Sequence, residues 1–118
     1  MKTLVLGATT DPTRYSFLAI NKLLGHGHEV VAVGHSGGEV RGVEIKNEFP
    51  TEEKVDTVTM YLNPRNQQQY YNSIINLKPR RIIFNPGAEN TELAKLATEN
   101  GIAVENACTL VLLNTGQY

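Results

Sequence analysis

The sequence predicts an α/β fold: a single domain with a doubly wound, mostly parallel sheet of about five strands flanked by helices. Three observations predict it. Short apolar runs rich in β-branched residues recur along the chain. Between them the apolar residues fall into helical spacing. Glycine and proline mark the junctions. Near-continuous apolar runs, as opposed to strict alternation, characterise strands buried on both faces of a sheet.

The elements follow in order. Thr3-Leu4-Val5-Leu6 forms a first strand that ends at Gly7-Ala8. Phe17, Ile20 and Leu24, with Leu23 beside them, repeat at i, i+3 and i+7, which places a helix there. Gly25 and Gly27 can close it. Glu29-Val30-Val31-Ala32-Val33 is a second strand ending at Gly34. The segment from Gly34 to Gly42 is irregular and glycine-rich, and a short extra strand can follow it at Val43 to Ile45. Thr51-Glu52-Glu53 can open one short helical turn. Val55 to Tyr61 reads as a third strand with more alternation. Tyr70, Ile74 and Leu77 mark a second helix, with Pro64 suited to its first turn and Pro79 stopping it. Arg81-Ile82-Ile83-Phe84 is a fourth strand that ends at Asn85-Pro86-Gly87. Leu93, Leu96 and Ala97 mark a third helix closed by Gly101, and Ile102-Ala103-Val104 is a short fifth strand. Strand–helix–strand units with right-handed crossovers wind into a Rossmann-like sheet, and 1–118 reads as one domain.

Composition removes several functions. Eleven Lys and Arg stand against twelve Asp and Glu, a net charge of −1, so no basic surface for nucleic acid is expected. The longest uninterrupted apolar run is four residues, too short to span a membrane. Met1-Lys2-Thr3 runs straight into a strand without signal-peptide anatomy, so a cytoplasmic location is expected. One cysteine, Cys108, allows neither an internal disulfide framework nor a cysteine-based metal cluster.

In an open parallel sheet, ligands bind beyond the carboxyl ends of the strands, where strand order reverses. That rule selects the loops Gly7 to Ser16, Gly34 to Gly38, Leu62 to Arg65 and Asn85 to Asn90. The first joins strand to helix. Backbone amides at a helix start, backed by the helix dipole, suit a pyrophosphate. Thr9, Thr10 and Ser16 add hydroxyls, and Arg14 adds a cation. A plain strand-to-helix turn with polar residues facing water would read the same way. The loop is not the dinucleotide fingerprint, since the second and third glycine places hold Thr9 and Pro12. It is not a Walker A loop either, because no Gly-Lys-Ser/Thr follows. Nor does an acid end the second strand to hold a ribose diol: Val33-Gly34-His35-Ser36 stands there, with no carboxylate before Glu39. A neutral, glycine-rich loop suits a phosphorylated ribose better, unless it merely turns.

The remaining titratable residues form no catalytic set. His26 and His28 flank the glycine at a helix end, where a cap or a solvated surface group is the plainer reading. His35 alone lies at the site end of the sheet, without a partner to make it a general base. Cys108 reads as a buried, inert thiol. Tyr70 and Tyr71 read as one core and one exposed tyrosine. No nucleophile–base pair, paired carboxylates or metal-ligand spacing emerges. The sequence describes a pocket without machinery.

These loops carry a resemblance. Leu6-Gly7-Ala8-Thr9-Thr10-Asp11-Pro12 with Arg14-Tyr15-Ser16, then Gly27 to Gly34, Glu39-Val40-Arg41-Gly42, Tyr61-Leu62-Asn63-Pro64, Asn85 to Asn90 and the Cys108 segment stand in the order and spacing of one family. Over nearly its whole length the chain resembles the small stand-alone CoA-binding domain proteins. It is similar in fold to the CoA-binding domain of succinyl-CoA synthetase alpha subunits. The resemblance implies a coenzyme A or acyl-CoA ligand. Its phosphates would lie on the first loop and helix start, its adenosine end with the 3′-phosphate on the loop after the second strand, and its groove along the later loops. It implies contacts from Gly7, Ala8, Thr9, Thr10, Arg14, Tyr15, Ser16, Gly34, His35, Tyr61, Asn63, Pro64, Asn85 and Gly87. The chain departs from the family at two places. Leu62-Asn63-Pro64-Arg65 replaces a basic residue and paired prolines, and Gly34-His35 replaces an Asn-Pro.

In the synthetase the phosphorylated histidine and the ligase machinery involve a second domain, for which 118 residues leave no room. The expectation is therefore a CoA-binding module without catalytic machinery of its own, metal-free, acting as a carrier, a sensor or the partner of a CoA enzyme. A homodimer is a further expectation, through Tyr70-Tyr71 or the apolar tail Leu110 to Leu113, although core packing is the plainer role for both. The alternatives are an NAD(P)- or nucleotide-binding enzyme subunit, and an interaction module whose pocket no longer binds.

Overall fold

The computed structural model describes residues 1–118. Seven strands and five α-helices follow one another along the chain. In chain order they are β1 (Lys2–Leu6), α1 (Tyr15–Gly25), β2 (Glu29–Val33), β3 (Glu39–Val40) and β4 (Val43–Lys46). Then come β5 (Thr57–Met60), α2 (Pro64–Gln67), α3 (Tyr71–Leu77), β6 (Arg81–Phe84), α4 (Thr91–Glu99), β7 (Ala103–Asn106) and α5 (Thr109–Asn114). The sheet order is β3-β4-β2-β1-β5-β6-β7, and every pairing is parallel except that of the edge strand β3 with β4. The chain winds outward from β1 first through β2 and then, in the other direction, through β5. Strand order therefore reverses at β1, and the crevice for a ligand lies at the carboxyl ends of β1, β2 and β5.

The expected doubly wound sheet is present, with two strands beyond the expected five. One is the short extra strand, now β4. The other, β3, forms a hairpin with it through Arg41 (φ 48°) and Gly42 (φ 85°), two consecutive left-handed residues that make a tight turn matching the strand twist. The second expected helix breaks into α2, a 3-10 turn at Gln68–Tyr70 and α3. Thr51 to Glu53 bends without forming a helix. The apolar tail Leu110 to Leu113 is helical, in α5.

Two cores lie on the two faces of the sheet. Alternation along β1 feeds both: Leu4 and Leu6 pack with Ile74 of α3 and Leu93 and Ala97 of α4. Val5 packs with Ile20 and Leu23 of α1 and Leu113 of α5. Both faces of β1, β5 and β6 are covered, and their residues are buried almost throughout. Burying a leucine or isoleucine here is worth about 1.5–3 kcal/mol. α1 closes with Gly27 (φ 80°), and His28 N–H donates to Leu23 O at 3.0 Å. That left-handed turn aims the chain back into β2. No helix is long and apolar enough to cross a membrane.

At the amino ends of the strands Arg80 grips Asp56 with two bonds, Nε to Oδ1 at 2.9 Å and Nη2 to Oδ2 at 3.1 Å. This bond, aided by Thr57 Oγ1, holds the Asp56 carboxyl below the usual carboxylate range against the opposing cost of burial. A depressed carboxylate stabilises the fold above its unfolded value, and that contribution is lost as pH falls through the folded one. Asp56→Asn is expected to cost about 0.5–1 kcal/mol at neutral pH for this partly exposed pair. Its difference from wild type should vanish as pH drops through and below the ordinary carboxylate value of 3.8. Urea melts at neutral pH and at acid pH check this; an equal deficit at both would contradict it.

Candidate functional site

The loop after β1 leaves the sheet at Gly7. Gly7 N–H and Ala8 N–H both donate to Val33 O at 2.9 Å, so these two amides are spent on β2 and not offered to solvent. The amides of Thr9 and Thr10 make no bond within the chain. Asp11 then organises the turn. Its N–H donates to Thr9 Oγ1 at 3.1 Å, and its carboxylate accepts from Thr13 N–H at 3.0 Å and Thr13 Oγ1 at 2.7 Å. Those Thr13 bonds hold the Asp11 carboxyl below its ordinary value.

The helix α1 that follows begins without a side-chain cap. Arg14 occupies the cap position in extended conformation. The first amides of any helix lack internal partners. α2 and α4 meet that need with Asn63, which accepts from Asn66 N–H at 2.9 Å, and Asn90, which accepts from Leu93 N–H at 3.0 Å. α1 meets it with nothing. Its first-turn N–H groups and positive dipole end stand open beside the Arg14 guanidinium.

The loop after β2 faces this one at close range. A Cβ on Gly34 would lie 2.1 Å from Ala8 O, and one on Gly38 would lie 2.7 Å from Thr10 Cγ2. Glycine is what lets the two loops approach. Past Gly34, the N–H groups of His35, Ser36 and Gly37 make no bond within the chain, and Ser36 Oγ donates to Gly37 O at 3.0 Å. A cavity of about 250 Å³ opens between the loops. Gly7, Ala8, Thr9, Arg14, Gly34 and His35 line it, together with Leu6, Val33, Ser36, Leu62 and Tyr70.

A second cavity, of about 310 Å³, lies on the other side of the same loop. Gly7, Arg14, Tyr15, Ser16 and Tyr61 line it with Thr13 and Pro86. Gly7 and Arg14 belong to both cavities, so the two form one groove around the start of α1. Tyr61 is half-buried and its Oη has no hydrogen-bond partner. Burial raises its pKa far above the usual tyrosine range.

Nine of the fourteen residues expected from sequence thus line the groove, once these two cavities are taken together. The other five, Thr10, Asn63, Pro64, Asn85 and Gly87, serve the loops themselves. Thr10 packs against Gly38, Asn63 caps α2, and Pro64 is its first residue. Gly87 N–H donates to Glu89 Oε1 at 2.8 Å. Asn85 is buried, and its side chain bonds inward to Thr59, Met60 and Thr109. Sequence reasoning passed over Leu62, Tyr70, Ser36, Thr13 and Pro86. Ser36, Thr13, Leu62 and Pro86 sit in the selected loops. Tyr70, read as core or surface, is half-buried against Phe49 (ring centroids 5.8 Å apart) and reaches the cavity because the second helix breaks there. No group of three or more His, Cys, Asp or Glu side chains is placed to hold a metal.

A protein-family model described as CoA binding domain matches residues 1–114. A crystal structure of an uncharacterized protein is 54% identical with a TM-score of 0.96, covering 99% of this chain and 97% of that one. A Thermus thermophilus protein, cell-free ID.343, is 25% identical with a TM-score of 0.87, covering 99% and 90%. PH0766 from Pyrococcus horikoshii OT3 shares the fold at 18% identity and a TM-score of 0.72; 90% of this chain matches 27% of that larger one. No curated protein matches the chain.

Proposed function

The chain belongs to the CoA binding domain family, and from that premise we propose that it binds coenzyme A or an acyl-CoA in the groove around the start of α1, as a binding module. One observation carries the reading: α1 starts without a side-chain cap, and its open end lies at Arg14 where the two cavities meet. A pyrophosphate supplies the acceptors that this helix end lacks. Arg14, with the hydroxyls of Thr9 and Ser16 and the amides of Thr9 and Thr10, completes its contacts. Gly7 and Ala8 contribute shape, because their amides are already bonded.

The loop after β2 would take the adenosine end. Its free His35, Ser36 and Gly37 amides, with no carboxylate before Glu39, favour a phosphorylated ribose over a bare diol. The arm beyond the pyrophosphate would run past Tyr15, Ser16, Tyr61 and Pro86, along the loops that Asn63, Pro64, Asn85 and Gly87 shape. Chemistry on the bound ligand would come from a partner, a second copy or a CoA enzyme. Leu18 and Val111, 42% and 54% exposed on α1 and α5, are among the apolar side chains available for docking.

Ligand-dependent melting tests the reading. At about one hundred times its dissociation constant, a ligand adds roughly 2.7 kcal/mol, or about 10 °C for a domain of this size. CoA is expected to give that shift, and NAD and ATP none. A shift with NAD and none with CoA would replace the proposal with a dinucleotide site. Arg14→Ala removes an exposed side chain, so the melting temperature without ligand should hold. Its CoA affinity should fall about tenfold, the loss of one charge-assisted contact. Unchanged affinity would take Arg14 out of the site.

A further inference from the structure

Where the sheet ends, the loops after β5 and β6 lose their ladder. The last backbone bond between the two strands at that end is Asn85 N–H to Met60 O at 3.3 Å. Beyond it one side chain spans the gap. Gln67, the last residue of α2, is fully buried. Its Nε2 donates to Leu62 O at 2.9 Å in the β5 loop and to Ala88 O at 2.8 Å in the β6 loop. Its Oε1 accepts from Asn90 Nδ2 at 2.9 Å. Asn90 gives its second proton to Tyr71 Oη at 2.9 Å, and its Oδ1 caps α4. Tyr71 in turn donates to Glu92 Oε1 at 3.0 Å.

An amide has two protons to donate, and both Gln67 and Asn90 use both of theirs. Leu62 lines the first cavity, and Pro86, two residues before Ala88, lines the second. The bridge therefore sets the separation of two loops that wall the groove. It makes no hydrogen bond to the α1 start or to the loop after β2.

We infer that Gln67 is a positioning residue for ligand specificity: it holds the β5 and β6 loops, whose Tyr61 and Pro86 line the second cavity, and so governs recognition of the arm beyond the pyrophosphate more than of the nucleotide end, which of these two loops only Leu62 reaches. The inference rests on the CoA reading, which divides the ligand between those two halves. A buried amide that only stabilised the fold would affect both halves alike. A loop clamp affects one more than the other.

The test compares two ligands on wild type, Gln67→Met and Gln67→Glu by calorimetry. CoA fills both halves of the groove; adenosine 3′,5′-bisphosphate has no arm and fills one. Methionine keeps the unbranched shape and loses every bond. Glutamate keeps the acceptor for Asn90 and loses both donors. Both variants are expected to bind CoA about tenfold more weakly, the loss of two buried donors, with bisphosphate affinity changed less than about twofold. Equal weakening of both ligands, or of neither, overturns the inference and leaves the CoA reading standing. Wild type that binds neither ligand refutes the CoA reading itself. Hydrogen exchange on wild type gives a second measurement that needs no variant. CoA should protect amides in 62–66 and 86–90, and the bisphosphate should not; equal protection by both overturns the inference.

Discussion

Gly34→Ala is expected to destabilise the protein by about 3 kcal/mol or more, at the upper end of overpacking costs, and to abolish ligand binding. The added Cβ would stand 2.1 Å from Ala8 O, with Ala8 C at 3.0 Å and Ala8 N at 3.1 Å, all backbone atoms. Nothing nearby is free to yield. Ala8 N–H is bonded to Val33 O at 2.9 Å, and Gly34 N–H to Lys46 O at 3.0 Å. Relief requires the β1 loop to leave β2, and that junction is the wall between the two site loops. A loss of about 3 kcal/mol lowers the melting temperature by roughly 10 °C or more. Gly25→Ala is the matched control. Gly25 lies in α1, and a Cβ there meets nothing within 4 Å. A helical glycine replaced by alanine without strain stabilises by about 0.4–1 kcal/mol. The same substitution at two glycines should thus act with opposite sign. A Gly34→Ala melting curve close to wild type would mean that the loops are less tightly joined than their bonds imply.

What could be read from the sequence followed from where the chain's strongest signals lie. β2 and β6 span the residues their apolar runs indicated, because buried parallel strands leave unbroken β-branched runs. α5 was missed for the same reason. Leu110 to Leu113 is continuous, and a six-residue helix shows too little of its period to be told from a strand. The two-residue strand β3 leaves no pattern at all, and its turn places Arg41, not glycine, at φ 48°. In the groove, the loops were legible because they follow strand ends, but roles within them were not. The resemblance implied ligand contacts at Gly7 and Ala8, and folding commits their amides to Val33. Gln67 gave no signal, since one buried glutamine between Asn66 and Gln68 looks like any polar residue of a helix start. Hydrogen bonding to distant loops decides its role, and such bonds are not local in sequence.

Asn85→Ala is the second large effect expected, and it separates a residue that builds the site from one that touches ligand. Asn85 is 2% exposed at the end of β6. Its Nδ2 donates to Thr59 Oγ1 at 2.8 Å and to Met60 O at 2.9 Å, and its Oδ1 accepts from Thr109 N–H at 2.9 Å. Thr59 and Thr109 are also joined, Oγ1 to Oγ1 at 2.7 Å. One amide therefore binds the end of β6 to β5 and to the start of α5. Alanine leaves the buried Thr109 N–H without its partner, at about 1–3 kcal/mol, and also removes the bonds to Thr59 Oγ1 and Met60 O. The expected destabilisation is about 3 kcal/mol. Asn85→Asp keeps the acceptor for Thr109 N–H but turns a carboxylate oxygen toward Met60 O. It is expected to do no better at neutral pH, because a buried charge facing a carbonyl is repelled. Urea melts of the three proteins, with CoA titrated at a temperature where all are folded, distinguish the roles. Loss of stability with CoA affinity retained in the folded fraction fits a residue whose side chain is spent inside the protein. Loss of affinity at unchanged stability would instead place the Asn85 amide on the ligand, and would require it to leave Thr109 when CoA binds.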